Sequence, residues 1–243
     1  EKQANGASSG SASAPPPPAP VAPASSLHGV LSINVLAFGL LYVLPFFPSR
    51  ALMGYKLSIG SAMALFISAL IHTWPLKMAT LKDPSFLKSN ELQLIMLCVM
   101  MLVSPPLPFA LMPFGATALL NIVTRYSYVI SKLPSFISSR AMFLASSEGT
   151  QMVQAFGAVS EVIVATMAPL IVLVQGMRMA VLAFFYFQYV ARRHKSSFWT
   201  AQAVNALTEK TNGIFHHKYC PSPVGMLFDR LKNVIALVAA KVQ

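Results

Sequence analysis

Glu161 is the only acidic side chain set within a long apolar run, QMVQAFGAVSEVIVATMAPLIVLVQ at residues 151–175. A carboxylate at bilayer depth is costly, so it must serve either a proton or ion path or a partner that locks helix packing. A transport path takes several such groups, and no second acid stands inside an apolar span. The structural role is the better reading, with the carboxyl protonated or paired to Ser160 or Asn121. His216, His217 and Cys220 come nearest to a metal set. Adjacent histidines point in different directions on a helix, however, and no second Cys/His cluster completes four ligands. Cys220 could be acylated close to a membrane, a weak pattern. His72 or Asn121 could ligate chlorophyll or haem in a photosynthetic or respiratory subunit, but both positions suit interface and packing roles. No nucleophile–base–acid set, phosphate-cradling glycine loop or HExxH is present. The chain therefore reads as non-enzymatic, with no cofactor, metal or catalytic residue.

The elements that must hold Glu161 are those of a membrane protein. Of the 243 residues, 55% are hydrophobic and 10% charged, against about 25% charged in soluble domains. The net charge of +11 points to anionic headgroups of a lipid bilayer rather than to nucleic acid, because the bases stand at the ends of apolar runs. Cys98 and Cys220 form no CxxC pair and no disulfide framework. The organising stretch is residues 177–195, MRMAVLAFFYFQYVARRHK. Phe184, Phe185, Tyr186 and Tyr189 suit the headgroup level, and Arg192, Arg193 and Lys195 follow as anchors on the untranslocated side.

Residues 1–26 are a Pro/Ala/Ser-rich low-complexity tail without the apolar h-region of a secretory signal, and are expected to be disordered. Residues 27–190 form the transmembrane domain. Its candidate segments are 27–47, 57–75, 91–104, 114–131, 151–175 and 177–190, with Arg50 and Lys56 in a short loop and residues 132–150 a polar link. Pro105, Pro106, Pro108 and Pro113 break the third and fourth into a hairpin. The first arm of that hairpin is short for a span, so four to six crossings are open. With six, every Lys and Arg except Arg50, Lys56 and Arg178 falls on one side, which makes both termini cytosolic or, in an organelle, matrix or stromal. Residues 191–243 form a basic membrane-surface tail. Within it, Leu227, Phe228, Leu231, Val234, Ile235 and Val238 share one face of an amphipathic helix at 224–242. Phe198, Val204 and Leu207 make a weaker stripe at 198–211. The fold class is all-α: a polytopic membrane protein of helical hairpins with an amphipathic tail.

The order SEV (160–162), Gln175-Gly176, FFYFQYVARRHKSS (184–197), a helix with Asn205, and Cys220-Pro221 resembles the transmembrane protein 33 family, relatives of the yeast pore-membrane nucleoporin. YVLPFF (42–47), Glu91 opening a helix and the proline-broken hairpin agree, while the prolines at 105–108 depart from the pattern. The resemblance implies a protein of the endoplasmic reticulum and nuclear envelope without enzymatic activity. It also implies partners among reticulon-like and pore proteins, and C-terminal helices that contact membrane.

Three functions compete. The first is a membrane-shaping scaffold of the endoplasmic reticulum and nuclear envelope. The second is an accessory subunit of a photosystem or respiratory assembly in the thylakoid or mitochondrial inner membrane, which a processed start at Glu1 would suit. The third is a small transporter organised on Glu161.

Overall fold

A computed structural model describes residues 26–44, 48–74, 86, 89–126, 130–132 and 134–215. The tail at 1–25, His216, His217, Cys220 and the amphipathic helix expected at 224–242 lie outside them, as do most of residues 77–90 before the third segment. Among the described residues the chain is helical, with no strand. The helices are α1 (Ser26–Val43), α2 (Pro48–Thr73), α3 (Asn90–Val103), α4 (Leu111–Arg125), α5 (Ser135–Ala145), α6 (Ser147–Gln175), α7 (Ala180–Ser196) and α8 (Phe198–Phe215). Single 3-10 turns, Pro108–Ala110 and Met177–Met179, lead into α4 and α7.

Local chemistry sets these bounds. Ser89 caps α3 by accepting from the Leu92 N–H at 3.4 Å, with Glu91 in the first turn where a negative charge suits the exposed amides. The helix stops at Ser104, which is extended at ψ 163° as a residue before proline prefers. Ser146 caps α6 in the same way, accepting from Gly149 N–H at 3.2 Å, with Glu148 following. At the other end of α6, Gly176 takes φ +85°, where a side chain is strained, and turns the chain straight into α7.

α1 packs on α2 and α4, α2 also on α3, and α6 on α4, α7 and α8. α1 and α2 approach closely at Gly54, where a β-carbon would stand 3.0 Å from the Phe38 carbonyl oxygen. Small residues at helix contacts serve this purpose where lipid removes the hydrophobic drive between helices. The core holds Tyr55, Ile59, Cys98, Met101, Met179 and Leu182, each almost fully buried. Outside it, large apolar side chains stay exposed, among them Val103, Leu173 and Val174 at over four-fifths of their area. So much apolar surface is what a bilayer covers.

Among the described residues, three helices are long and apolar enough to cross a membrane: Ser26–Val43, Arg50–Thr73 and Ser147–Ala168. α3, α4 and α7, with 14, 15 and 17 residues, are shorter. They pack alongside the three long ones.

Two expectations change. Arg50 and Lys56 are not in a loop, because α2 begins at Pro48 and carries both. Proline is well suited to a first helical turn, where its missing N–H costs nothing. The polar link at 132–150 is mostly helix: α5 starts after Pro134 and runs to Ala145, and α6 begins at Ser147.

The helices alternate in direction. The start of α1 meets the end of α2, where the His28 and His72 rings lie 5.6 Å apart. It also meets the end of α4, where Tyr126 stands against Gly29. The starts of α3 and α6 and the end of α7 join them around one cleft. This cationic end carries Arg125, Arg192, Arg193 and Lys195. The opposite, turn end gathers the start of α2, the two 3-10 turns and Gly176.

Candidate functional site

Leu182, Tyr186, Tyr189, Val190 and Arg193 recur at helical spacing along α7, and the first four are buried. That stripe faces α6, where Glu161 is 5% exposed. The Tyr189 hydroxyl donates to Glu161 Oε1 at 3.1 Å, and Arg193 Nη1 donates to the Tyr189 oxygen at 3.1 Å. Arg193 Nε stands 3.4 Å from Glu161 Oε2, an ion pair aligned too poorly for a hydrogen bond. The guanidinium also lies 5.8 Å from the Tyr189 ring centre. Thr200 of α8 is fully buried beside the same carboxylate. A carboxylate is thus neutralised inside the bundle by one cation and one hydroxyl, both supplied by α7.

The favoured structural role of Glu161 has a physical counterpart here, but with different partners. Ser160 donates to the Gly157 carbonyl of its own helix at 2.7 Å, and Asn121 lines the adjoining cleft. Among the residues assigned to the membrane interface, Phe184, Arg192 and Lys195 are exposed and Phe185 is half-buried. Tyr186 and Tyr189 are buried within the protein, and Arg193 turns inward to Glu161. Those three side chains serve contacts inside the bundle, two phenols buried and an acid paired. α7 runs through the expected domain boundary at 190/191. α8, Phe198–Phe215, packs on α6 and α7, so this part of the segment expected on the membrane surface is joined to the bundle.

Glu161 and Arg193 stand on the wall of a half-open cleft of about 810 Å³ at the cationic end. Its polar lining includes His28, Asn121, Arg125 and Gln154; Leu65, Phe66, Leu120 and Trp199 make it apolar elsewhere. No pattern along the chain groups His28, Arg125, Trp199 and Thr200, since His28 lies on α1, Arg125 on α4 and the other two on α8. Among the described residues, no group of three or more His, Cys, Asp or Glu side chains could hold a metal ion. The arrangement can hold a polar group against an apolar wall, and among the residues lining it there is no nucleophile paired with a base.

Comparison with curated proteins and with solved structures finds no match. The family model described as Transmembrane protein 33/Nucleoporin POM33 matches residues 26–241, from the first residue of α1 to near the C-terminus. Proteins of that family reside in the endoplasmic reticulum and nuclear pore membrane. With membrane-length helices, an all-helical bundle and a match over nearly its whole length, this chain belongs to the Transmembrane protein 33/Nucleoporin POM33 family of membrane proteins.

Proposed function

We propose that the chain is a non-enzymatic integral membrane scaffold that shapes or organises endoplasmic reticulum and nuclear-envelope membrane. The observation that carries this reading is the inequality of its helices. α3 reaches about 21 Å and α6 about 44 Å at 1.5 Å per residue, while the hydrocarbon layer is about 30 Å thick. Within one bundle, such helices load the two leaflets unequally, and the mismatch costs a flat bilayer energy. An amphipathic segment at 224–242 on the base-rich side would add apolar volume beneath the headgroups of one leaflet. Both termini are then cytosolic, facing anionic lipid, with other membrane proteins of the same compartment as partners.

The test is reconstitution of the full chain into liposomes at increasing protein density, with vesicle diameter read by electron microscopy. Diameter should fall as density rises, and Leu231→Asp with Val234→Asp should blunt the fall. Diameters that ignore protein density would sink the reading. Labelling of single cysteines placed at positions 2, 85, 139 and 210 should report one common, cytosolic face.

A further inference from the structure

The cleft at the cationic end holds a cation and a buried base that meet no carboxylate among the described residues. Arg193 is matched by Glu161. Arg125, half-buried in the last turn of α4, meets no carboxylate among the described residues. Its neighbour in electrostatic reach is His28 of α1, which is 6% exposed and whose Nδ1 has no hydrogen-bond partner. Both residues line the cleft, with Asn121 one turn before Arg125 on α4 and Gln154 on α6. Glu161 does not repel an anion here, because Arg193 and Tyr189 already neutralise it. Glu91, half-buried at the start of α3, is the remaining acid on the lining.

We propose that this cleft is a binding site for a phospholipid, with the phosphate held by Arg125 and His28 and an acyl chain laid along Leu65, Phe66 and Leu120. A guanidinium is suited to a phosphate because its N–H groups match two phosphate oxygens at once. A buried imidazole whose Nδ1 carries a proton supplies one more donor. The rest of the lining includes apolar side chains, as a chain requires and a free phosphate does not. The volume lies within the range of about 300–1,000 Å³ typical of small-molecule sites, enough for a headgroup and part of a chain. Membrane lipid is also the amphiphile present at highest concentration around a helix bundle of this kind. The inference stands apart from the membrane-shaping reading, since a bound lipid needs no curvature.

Trp199 on the cleft wall is a built-in reporter, and replacing Trp74 by Phe leaves it as the single tryptophan. The full chain in detergent micelles is titrated with phosphatidylglycerol carrying bromine on its acyl chains, which quenches tryptophan on contact. Quenching should saturate, and Arg125→Gln should raise the half-saturating lipid fraction about tenfold, whereas Arg125→Lys, which keeps the charge, should stay within about threefold. Arg140→Gln, an exposed cation on α5, should change nothing. Diacylglycerol with the same brominated chains should quench only in proportion to its amount, without saturating. Equal saturation by that diacylglycerol would overturn the proposal, as would an unchanged Arg125→Gln curve. Loss of lipid quenching on adding millimolar inorganic phosphate would assign the site to free phosphate and remove the lipid. Should Arg125→Gln lose its thermal transition, the Lys variant and the diacylglycerol comparison still decide.

Discussion

The two ends of the bundle are built from the same helices and solve opposite problems. At the turn end the chain is close-packed: the Leu107 N–H donates to the Tyr55 hydroxyl at 3.2 Å, and Met179 and Leu182 are each 1% exposed. There, one polar bond between α2 and the segment after α3 satisfies a backbone donor that the prolines leave outside any helix. At the cationic end the helices part into the cleft, and polar side chains replace apolar contact. Stability and recognition are thus divided along the helix axes. One end closes the fold, and the other can hold a charged group because the closing is done elsewhere.

The largest effect is expected on the wall of the cleft, at Glu161. Arg193→Ala strips the buried carboxylate of its cation, and removing one partner of a buried pair costs about 3–5 kcal/mol. Thermal unfolding in micelles should show it, and adding Glu161→Gln should recover most of the loss. If the double variant is no more stable than Arg193→Ala alone, the pair is not what holds α6 to α7. Leu182→Ala in the close-packed end should cost about 2–4 kcal/mol through the cavity it leaves. Leu120→Ala on the cleft wall should cost about half as much, since half-buried Leu120 already borders open space. Equal losses would mean that the ends do not differ in packing. Tyr55→Phe should remove about 1–2 kcal/mol, by leaving the buried Leu107 N–H without its acceptor.

Much of this architecture is legible in the residues, and what is not has identifiable causes. Ser89 with Glu91, the proline run from 105 and Gly176 mark the bounds of α3 and α6, because caps and turns are local chemistry. Pro48 is an equally local signal for the start of α2, but the charges of Arg50 and Lys56 beside it suggest a loop. In α7 the aromatic residues invite a belt reading, yet the spacing Leu182, Tyr186, Tyr189, Arg193 is that of one buried helix face. The pairing of Glu161 with Arg193 is not readable from the chain, since the two are joined only by the way α6 and α7 return on each other at Gly176. The cleft is further still from the sequence, as a space between several helices has no local signature.

The smallest effect is predicted for α5, and it sharpens the comparison by giving a third region that neither end needs. None of its residues is buried, and Phe136, Met142 and Phe143 are exposed although the helix packs along α4 and α6. Its backbone is fixed by short hydrogen bonds of its own, including the Ser146 hydroxyl donating to the Phe143 carbonyl at 2.6 Å. Exposed side chains away from such features change stability by no more than about 0.5 kcal/mol, so Phe136→Ser should leave thermal unfolding in micelles within that margin. A loss as large as that of Leu182→Ala would show that α5 is part of the packed bundle, and the division between a closing end and an open end would then have to include it.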